Sequence, residues 1–370
     1  WWADRMQVCG VNVMIPHSFN PRAPHDTDCP PYFYNGGFEP RFALYRVWAD
    51  YSSRLSLMLS GGRHVCPVAV LFSGNARQVG ACTTPEDFTS ALQDALYDCD
   101  WLPFERFEDS VTKIKGNELR LHGERYRALV VPPTESVTFA TLEKARAFFE
   151  AGGTVLGYGR LPERSLTLGK TAADIARLRE AIWGVDARSG KSACRTSAKG
   201  GRSFFLAEQP SQAELAATLG EAGVPPVLRV LSGETGGWVH ALRRVDREGR
   251  AVLFIANQNT NDAARALTFH APDAAGVPEV WDAMRGEVRS VPWRKEGDGV
   301  SFDLALEGGE SALVRFAKRD AGRSARLTSA SRPVATLPVF PDASADPVVY
   351  PVAPDNTLTV SPVPGAVFQG

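Results

Sequence analysis

A histidine placed directly after a short apolar run is the first group in this chain that could do chemistry. Gly10-Val11-Asn12-Val13-Met14-Ile15 ends in Pro16-His17, and the loop that follows carries Arg22, His25, Asp26 and Asp28. Imidazole, guanidinium and carboxylate groups on one loop can hydrogen-bond hydroxyls, orient a polar ligand or hold a metal ion. The spacing of His17, His25, Asp26, Asp28 and Cys29 fits no metal-ligand pattern, so no metal site is assigned. His17, Asn12, Arg22 and Asp26 are the binding candidates. The competing roles are a structural histidine that fixes the loop, a backbone-bonding asparagine within a strand, and loop residues that only face water.

Other chemistries find less support. The cysteines Cys9, Cys29, Cys66, Cys82, Cys99 and Cys194 are scattered and form no C-x-x-C pair, which argues for buried small hydrophobes over a zinc site or a disulfide framework. After the apolar run that ends at Val131 the chain reads Pro132-Pro133-Thr134-Glu135-Ser136, so a cysteine nucleophile on a strand-to-helix turn is missing there. Leu71-Phe72-Ser73-Gly74-Asn75-Ala76 lacks the G-x-G-x-x-G of a dinucleotide site. Lys+Arg 41 against Asp+Glu 42 gives a net charge of -1, which supplies no field for nucleic acid or an anionic membrane.

The elements that must position these groups follow from periodicity. Val11 to Ile15 reads as a buried strand, and Trp1 to Met6 as the end of an amphipathic helix. Leu44, Trp48, Tyr51, Leu55 and Met58 recur at helical spacing, which predicts a helix over 41–59 closed by Gly61-Gly62. Strand, loop and helix together read as one β/α unit of a barrel, with functional side chains just past the strand. Apolar runs at 67–72, 128–131 and 154–157 alternate with helices at 84–97 (Thr84 as N-cap), 141–151, 172–183 and 212–221, and a short hairpin turns at Gly123. That pattern predicts a parallel sheet covered on both faces. From about Leu231 the pattern changes to short strands at 238–243, 251–257, 266–270, 277–281, 287–291, 300–306 and 312–316, the spacing of a β-sandwich. With 370 residues, several domains are expected. The Pro-, Ser- and Ala-rich stretch 319–370 reads as a linker or the start of a further module.

The order of several motifs resembles family 106 glycoside hydrolases, the α-L-rhamnosidases. They are Asn12 and His17, then Glu39-Pro40, then Tyr51-x-x-Arg54 with Leu59-x-x-Gly62-Arg63-His64-Val65 leading into Val68-Ala69-Val70-Leu71. Tyr126-Arg127-Ala128-Leu129-Val130-Val131-Pro132-Pro133, Gly152-Gly153-Thr154-Val155, Phe254-Ile255-Ala256-Asn257 and Glu279-Val280-Trp281-Asp282-Ala283-Met284-Arg285-Gly286-Glu287 complete the series. The resemblance implies an α/β plus all-β chain: the end of a (β/α)8 barrel over 1–65, a flavodoxin- or amidotransferase-like βα domain over 66–230, and an accessory β-sandwich over 231–318. It also implies inverting removal of terminal α-L-rhamnose from plant glycans, with calcium assistance in the full-length enzyme; no cofactor is identifiable in this chain.

Inversion needs a carboxylic acid and a carboxylate facing each other across the scissile bond. Before Pro67 only Asp4, Asp26, Asp28, Glu39 and Asp50 are available, and Asp4 and Asp50 fall on predicted helices as solvated groups. The catalytic pair is therefore expected upstream of Trp1, which leaves His17, Asn12, Arg22 and Asp26 as substrate contacts. Tyr32, Phe33, Tyr34 and Phe38 could stack on a sugar face or pack the loop. The expected partners are a carbohydrate substrate and a second copy of the chain, with no nucleic acid and no membrane. A periplasmic or secreted location is expected of the full-length protein. The alternatives are a non-catalytic glycan-binding or scaffold portion, a β-galactosidase-like glycosidase, and a stand-alone flavodoxin-like enzyme.

Overall fold

Three apolar runs and two strands of more polar sequence order themselves into one parallel sheet. The computed structural model describes residues 1–17, 34, 39–72, 74, 78–184, 190–261 and 264–318. In it the strands Val68–Phe72, Cys99–Pro103, Ala128–Val131, Thr154–Tyr158 and Arg202–Leu206 pair in parallel, and Ala193–Thr196 adds antiparallel to the last of them. Counting only the parallel strands, their order across the sheet is second, first, third, fourth, fifth, a doubly wound arrangement. Alternate side chains feed two separate cores. Ala69, Leu71, Leu129, Val131, Val155 and Phe205 join one; Val68, Val70, Val130, Leu156, Tyr158 and Phe204 join the other. Burial on both faces is why Val68–Phe72, Ala128–Val131 and Thr154–Tyr158 read as unbroken apolar runs and not as alternation.

The covering helices are Glu86–Asp94, Phe139–Glu150, Ala172–Trp183 and Gln212–Glu221. The last two begin with reciprocal capping boxes, Thr171 with Asp174 and Ser211 with Glu214. Thr138 caps Phe139–Glu150 through its hydroxyl, which accepts from Thr141 N at 3.4 Å. Thr84 does not cap as expected: the N-cap position is Pro85, which offers no side-chain acceptor. A three-stranded antiparallel ribbon, Lys113–Lys115, Glu118–Leu121 and Glu124–Tyr126, projects from the sheet.

Two antiparallel sheets follow and share one core. In the larger, Arg63–His64, Val239–Val245, Ala251–Asn257, Ser311–Ala317, Val277–Asp282 and Glu287–Ser290 lie side by side in that order. In the smaller the order is Arg229–Ser232, Arg265–Pro272, Gly299–Leu306 and Trp293–Glu296. Leu253, Ile255, Val314 and Phe316 from one sheet meet Phe269, Phe302 and Leu304 from the other, and Phe302 packs edge-on to Phe316 at 6.0 Å between centroids. Arg63–His64 is the unexpected member, since it precedes the parallel sheet in sequence yet closes an edge of this one.

Helices occupy Trp2–Val8 and Phe42–Leu59. Leu55 and Leu59 of the second are buried, whereas Leu44 of the expected stripe is exposed. Val11–Ile15 is not a strand. It is irregular and unpaired among the described residues, with Val13 62% and Ile15 89% exposed. A continuous apolar run becomes a buried strand only where neighbouring strands offer their ladder and their faces, and this segment has neither among the described residues. Asp4, expected to be solvated, is buried on its helix; Asp50 is exposed and pairs with Arg46 at 3.7 Å. No described helix is long and apolar enough to cross a membrane. The stretch 319–370 lies outside the described residues.

Candidate functional site

A histidine ringed by carboxylates forms where the sandwich edge meets the parallel sheet. Gly61 and Gly62, both at positive φ, end the long helix and turn the chain into Arg63–His64. Pairing of Arg63 with Val245 and His64 with Arg244 fixes the edge, and Val65 N donates to Arg243 O at 2.9 Å. Extended backbone sends side chains two apart to one face, so His64 and Cys66 point the same way. Opposite them, Leu96 in the left-handed region lets the chain leave helix Glu86–Asp94 and enter Asp98-Cys99-Asp100. Glu124 and Tyr126 come from the ribbon.

His64 Nε2 donates to Asp98 Oδ2 at 2.6 Å, and Asp98 Oδ1 accepts from Cys99 N at 2.9 Å. The other imidazole nitrogen, Nδ1, lies 3.9 Å from Asp100 Oδ1 and 4.0 Å from Glu124 Oε2. Tyr126 donates its hydroxyl to Asp100 Oδ2 at 2.9 Å. Cys66, 2% exposed, spends its thiol proton on Val68 O at 3.2 Å. Burial opposes charge on His64, but Asp98, Asp100 and Glu124 outweigh it and raise the imidazole to about 9. Burial raises the Asp98 and Glu124 carboxyls and lifts the Cys66 thiol well above its ordinary value. Three carboxylates around one imidazole favour the charged His64–Asp98 pair. The cluster is a place that concentrates negative charge around a nitrogen and a sulfur.

Two further histidines belong to the same region. Arg5 Nη1 donates to His240 Nδ1 at 2.6 Å, which leaves the ring proton on Nε2, donated to Asp94 Oδ1 at 2.8 Å. Burial, reinforced by the Arg5 charge, lowers the His240 pKa from 6.5 despite Asp94. A native pKa below the unfolded value means that the unfolded chain takes up the proton first as pH falls. The neutral ring therefore contributes stability above pH 6.5 that is lost on acidification. Urea unfolding of the protein and of His240→Gln at about pH 7.5 and about pH 5.5 should show the stability gap between them shrinking at the lower pH. A gap that widens on acidification contradicts this assignment.

His270 bonds Ser301 Oγ at 3.0 Å and Asp298 Oδ1 at 2.8 Å. That is the residue set of a hydrolytic triad, but Ser301 is 0% exposed and donates to Glu296 Oε2 at 2.5 Å. Its oxygen cannot meet a substrate, so the trio is structural. Asp94 and Asp298 both line a cleft of about 910 Å³ between the parallel sheet and the sandwich, with Arg127, Arg229 and Asp273. Its walls mix charges of both signs and hold backbone of the Gly233–Gly237 turn, a surface suited to a polar ligand.

The expected site residues are distributed differently. Asn12 is half-buried in an irregular segment of the compact unit formed by Trp1–Asn12 and Arg54–Arg323. His17 is exposed in the other unit. Arg22 and Asp26 lie outside the described residues, as do His25, Asp28, Cys29, Tyr32, Phe33 and Phe38. Glu39 is tied to Arg41, which bonds it at 2.6 Å and holds its carboxyl below the usual range. The His64 cluster was missed. Its signal was the pair of spacings His64-x-Cys66 and Asp98-x-Asp100, each placing two polar side chains on one face of an extended chain.

The α-L-rhamnosidase family matches residues 2–295 of this chain. Among solved structures, a rhamnosidase from Novosphingobium sp. PP1Y is similar at a TM-score of 0.55 and 22% identity, over 79% of this chain and 26% of that one. Alpha-L-fucosidase isoenzyme 2 from Paenibacillus thiaminolyticus is similar at 0.50 and 12% identity, over 78% and 54%. A beta-galactosidase from Bacillus circulans sp. alkalophilus aligns at 0.48 and 15% identity, over 75% and 45%. No curated protein matches. The chain thus spans about a quarter of the rhamnosidase structure (26%). Because the family match runs from the first helix through the parallel sheet and into the sandwich, the chain belongs to the α-L-rhamnosidase family, family 106 of the glycoside hydrolases.

Proposed function

We propose that this chain is the C-terminal portion of an α-L-rhamnosidase whose full-length form removes terminal α-L-rhamnose from plant glycans by inversion. The observation that carries the reading is the family match over residues 2–295. In this reading the segment Val11–Pro16 and helix Phe42–Leu59 close a (β/α)8 barrel. The doubly wound sheet is a flavodoxin- or amidotransferase-like domain without a nucleophile, and the paired antiparallel sheets are an accessory β-sandwich. Exposed Val13 and Ile15 then become barrel core once the other strands pair with them. His17, Asn12, Arg22 and Asp26 contact sugar hydroxyls along one wall of the pocket.

The acid and the base lie in the part of the enzyme outside this chain. Of the early carboxylates, Asp4 is buried on a helix, Glu39 is bound by Arg41, and Asp50 is paired with Arg46. Each of these three is buried or already engaged by a cation. Calcium, which the family implies, takes six to eight oxygen ligands. The only metal-sized cluster among the described residues offers nitrogen and sulfur beside carboxylate oxygen, so it does not fit calcium and no step is assigned to that ion here.

The test compares the full-length enzyme with the chain over 1–370, using aryl α-L-rhamnoside and aryl β-D-galactoside. The expected result is rhamnoside hydrolysis by the full-length enzyme, with the anomer of first-formed rhamnose inverted by NMR, and no turnover by the shorter chain. Galactoside hydrolysis without rhamnoside hydrolysis overturns the substrate assignment. A second reading, a glycan-binding or scaffold portion, describes the shorter chain by itself, since the described carboxylates before Pro67 are each committed elsewhere. Rhamnose binding without turnover is its expected signature.

A further inference from the structure

We infer that His64, Cys66, Asp100 and Glu124 bind one divalent transition-metal ion of the zinc type, at the seam between the sandwich edge and the parallel sheet. Ligand atoms of His64, Cys66 and Asp100 all lie within 4.8 Å of one another. His64 Nδ1 lies 3.9 Å from Asp100 Oδ1 and 4.0 Å from Glu124 Oε2. Tetrahedral zinc with bonds of about 2.0–2.3 Å keeps its ligand atoms about 3.3–3.8 Å apart, so the two carboxylates already stand near ligand spacing from His64 Nδ1, and side-chain adjustment on binding draws in the rest of the shell.

Three features prepare the site. Glu124 Oε2 is buried with no hydrogen-bond partner, 4.0 Å from His64 Nδ1. An orphaned buried carboxylate oxygen is costly, and a cation removes that cost. His64 Nε2 is committed to Asp98, 5% exposed, which orients the ring and presents Nδ1 to the ion; this is the carboxylate–histidine–metal relay of known metal centres. Tyr126 does the same for Asp100, binding Oδ2 and leaving Oδ1 free for the ion. Asp98 and Tyr126 are thus positioning residues, not ligands.

The donor set selects the metal. A thiolate and an imidazole favour zinc and its neighbours, and disfavour calcium and magnesium, which take oxygen shells. On binding, the Cys66 thiol and any proton on His64 Nδ1 are released to solvent, and the metal takes the vacated lone pairs. Asp100 and Glu124 are partly exposed at the rim, which supplies the entry path. The ion would bridge the edge strand, the parallel sheet and the ribbon, so its role is to lock that seam. The inference is independent of the rhamnosidase reading.

The test uses tag-free protein stripped with chelator and titrated with Co²⁺. One equivalent should produce a near-ultraviolet thiolate-to-cobalt charge-transfer band with the visible bands of a four-coordinate ion, displaced by Zn²⁺ and untouched by Ca²⁺. Cys66→Ser should abolish the charge-transfer band while Cys99→Ser keeps it. Asp98→Asn, which leaves all ligands in place, should weaken Zn²⁺ binding about 10–100-fold. Should Cys66→Ser fail to fold, Glu124→Gln at the rim serves instead, with an expected loss of at least about tenfold in Zn²⁺ affinity. No stoichiometric cobalt band in the native protein, or a band unchanged in folded Cys66→Ser, overturns the site.

Discussion

Trp183→Ala should cost the parallel-sheet domain about 3–5 kcal/mol of unfolding free energy, among the largest losses expected of a truncation among the described residues. Trp183 is 1% exposed and ends helix Ala172–Trp183. Its ring lies over the backbone of the central strand Thr154–Tyr158, where a side chain at Gly157 would meet the indole at 3.2 Å. The neighbouring strand receives its Nε1–H, donated to Phe204 O at 2.9 Å. Removing the indole therefore opens a cavity between helix and sheet and strands a carbonyl. Trp183→Phe keeps most of the volume and loses the bond, for a smaller cost of about 1–2 kcal/mol. Hydrogen exchange of amides in Thr154–Tyr158 and Arg202–Leu206 reads this domain separately from the sandwich. A change below about 1 kcal/mol for the alanine variant rejects this account of the core.

Gly62→Ala should be among the most damaging exchanges of a glycine at a turn, at about 2–5 kcal/mol. The residue sits at φ +63, and an added Cβ would come 2.1 Å from Val245 O and 2.9 Å from Asp246 Cα. Both obstacles are backbone and cannot swing aside. Relief requires Arg63–His64 to leave its partner strand, which pulls His64 away from Asp98 and opens Cys66 to solvent. A thiol reagent should then label Cys66, buried in the native protein, many times faster. Gly249→Ala is the control, because Gly249 has a similar φ of +78 with nothing within 4 Å of the added atom. Equal labelling of Cys66 in the two variants refutes the steric argument.

The parts of this fold that were legible are those with local causes. Helices Ala172–Trp183 and Gln212–Glu221 announce themselves through Thr171 with Asp174 and Ser211 with Glu214, so both ends could be read from sequence. The parallel strands Val68–Phe72, Ala128–Val131 and Thr154–Tyr158 are apolar because both faces are covered. Trp293–Glu296 was missed because it is mostly exposed and polar, and hence carries no alternation. Val11–Ile15 misled for the converse reason: apolar composition states a demand for burial, not the presence of a partner. The pairing of Arg63–His64 with Val239–Val245 has no local signature at all. The His64 cluster inherits that opacity, because its members come from an edge strand, a sheet strand and a ribbon. Asn12 and His17 were picked from position beside an apolar run, and that run turned out not to be a strand among the described residues.

The displaced edge strand also bears on how the protein is made. Arg63–His64 leaves the ribosome about 175 residues ahead of Val239–Val245. At about 5–20 residues per second that is a wait of roughly ten to thirty seconds. The parallel sheet, whose five strands all lie between the two, can fold during that interval and hold the early strand in place for its late partner. Its folding carries the two ends of a long loop together, so the closure entropy of the sandwich edge is met in advance. A chain cut between His64 and Val68 loses that guide, and the Val239–Val245 edge it leaves bare is a strand open to pairing with other copies.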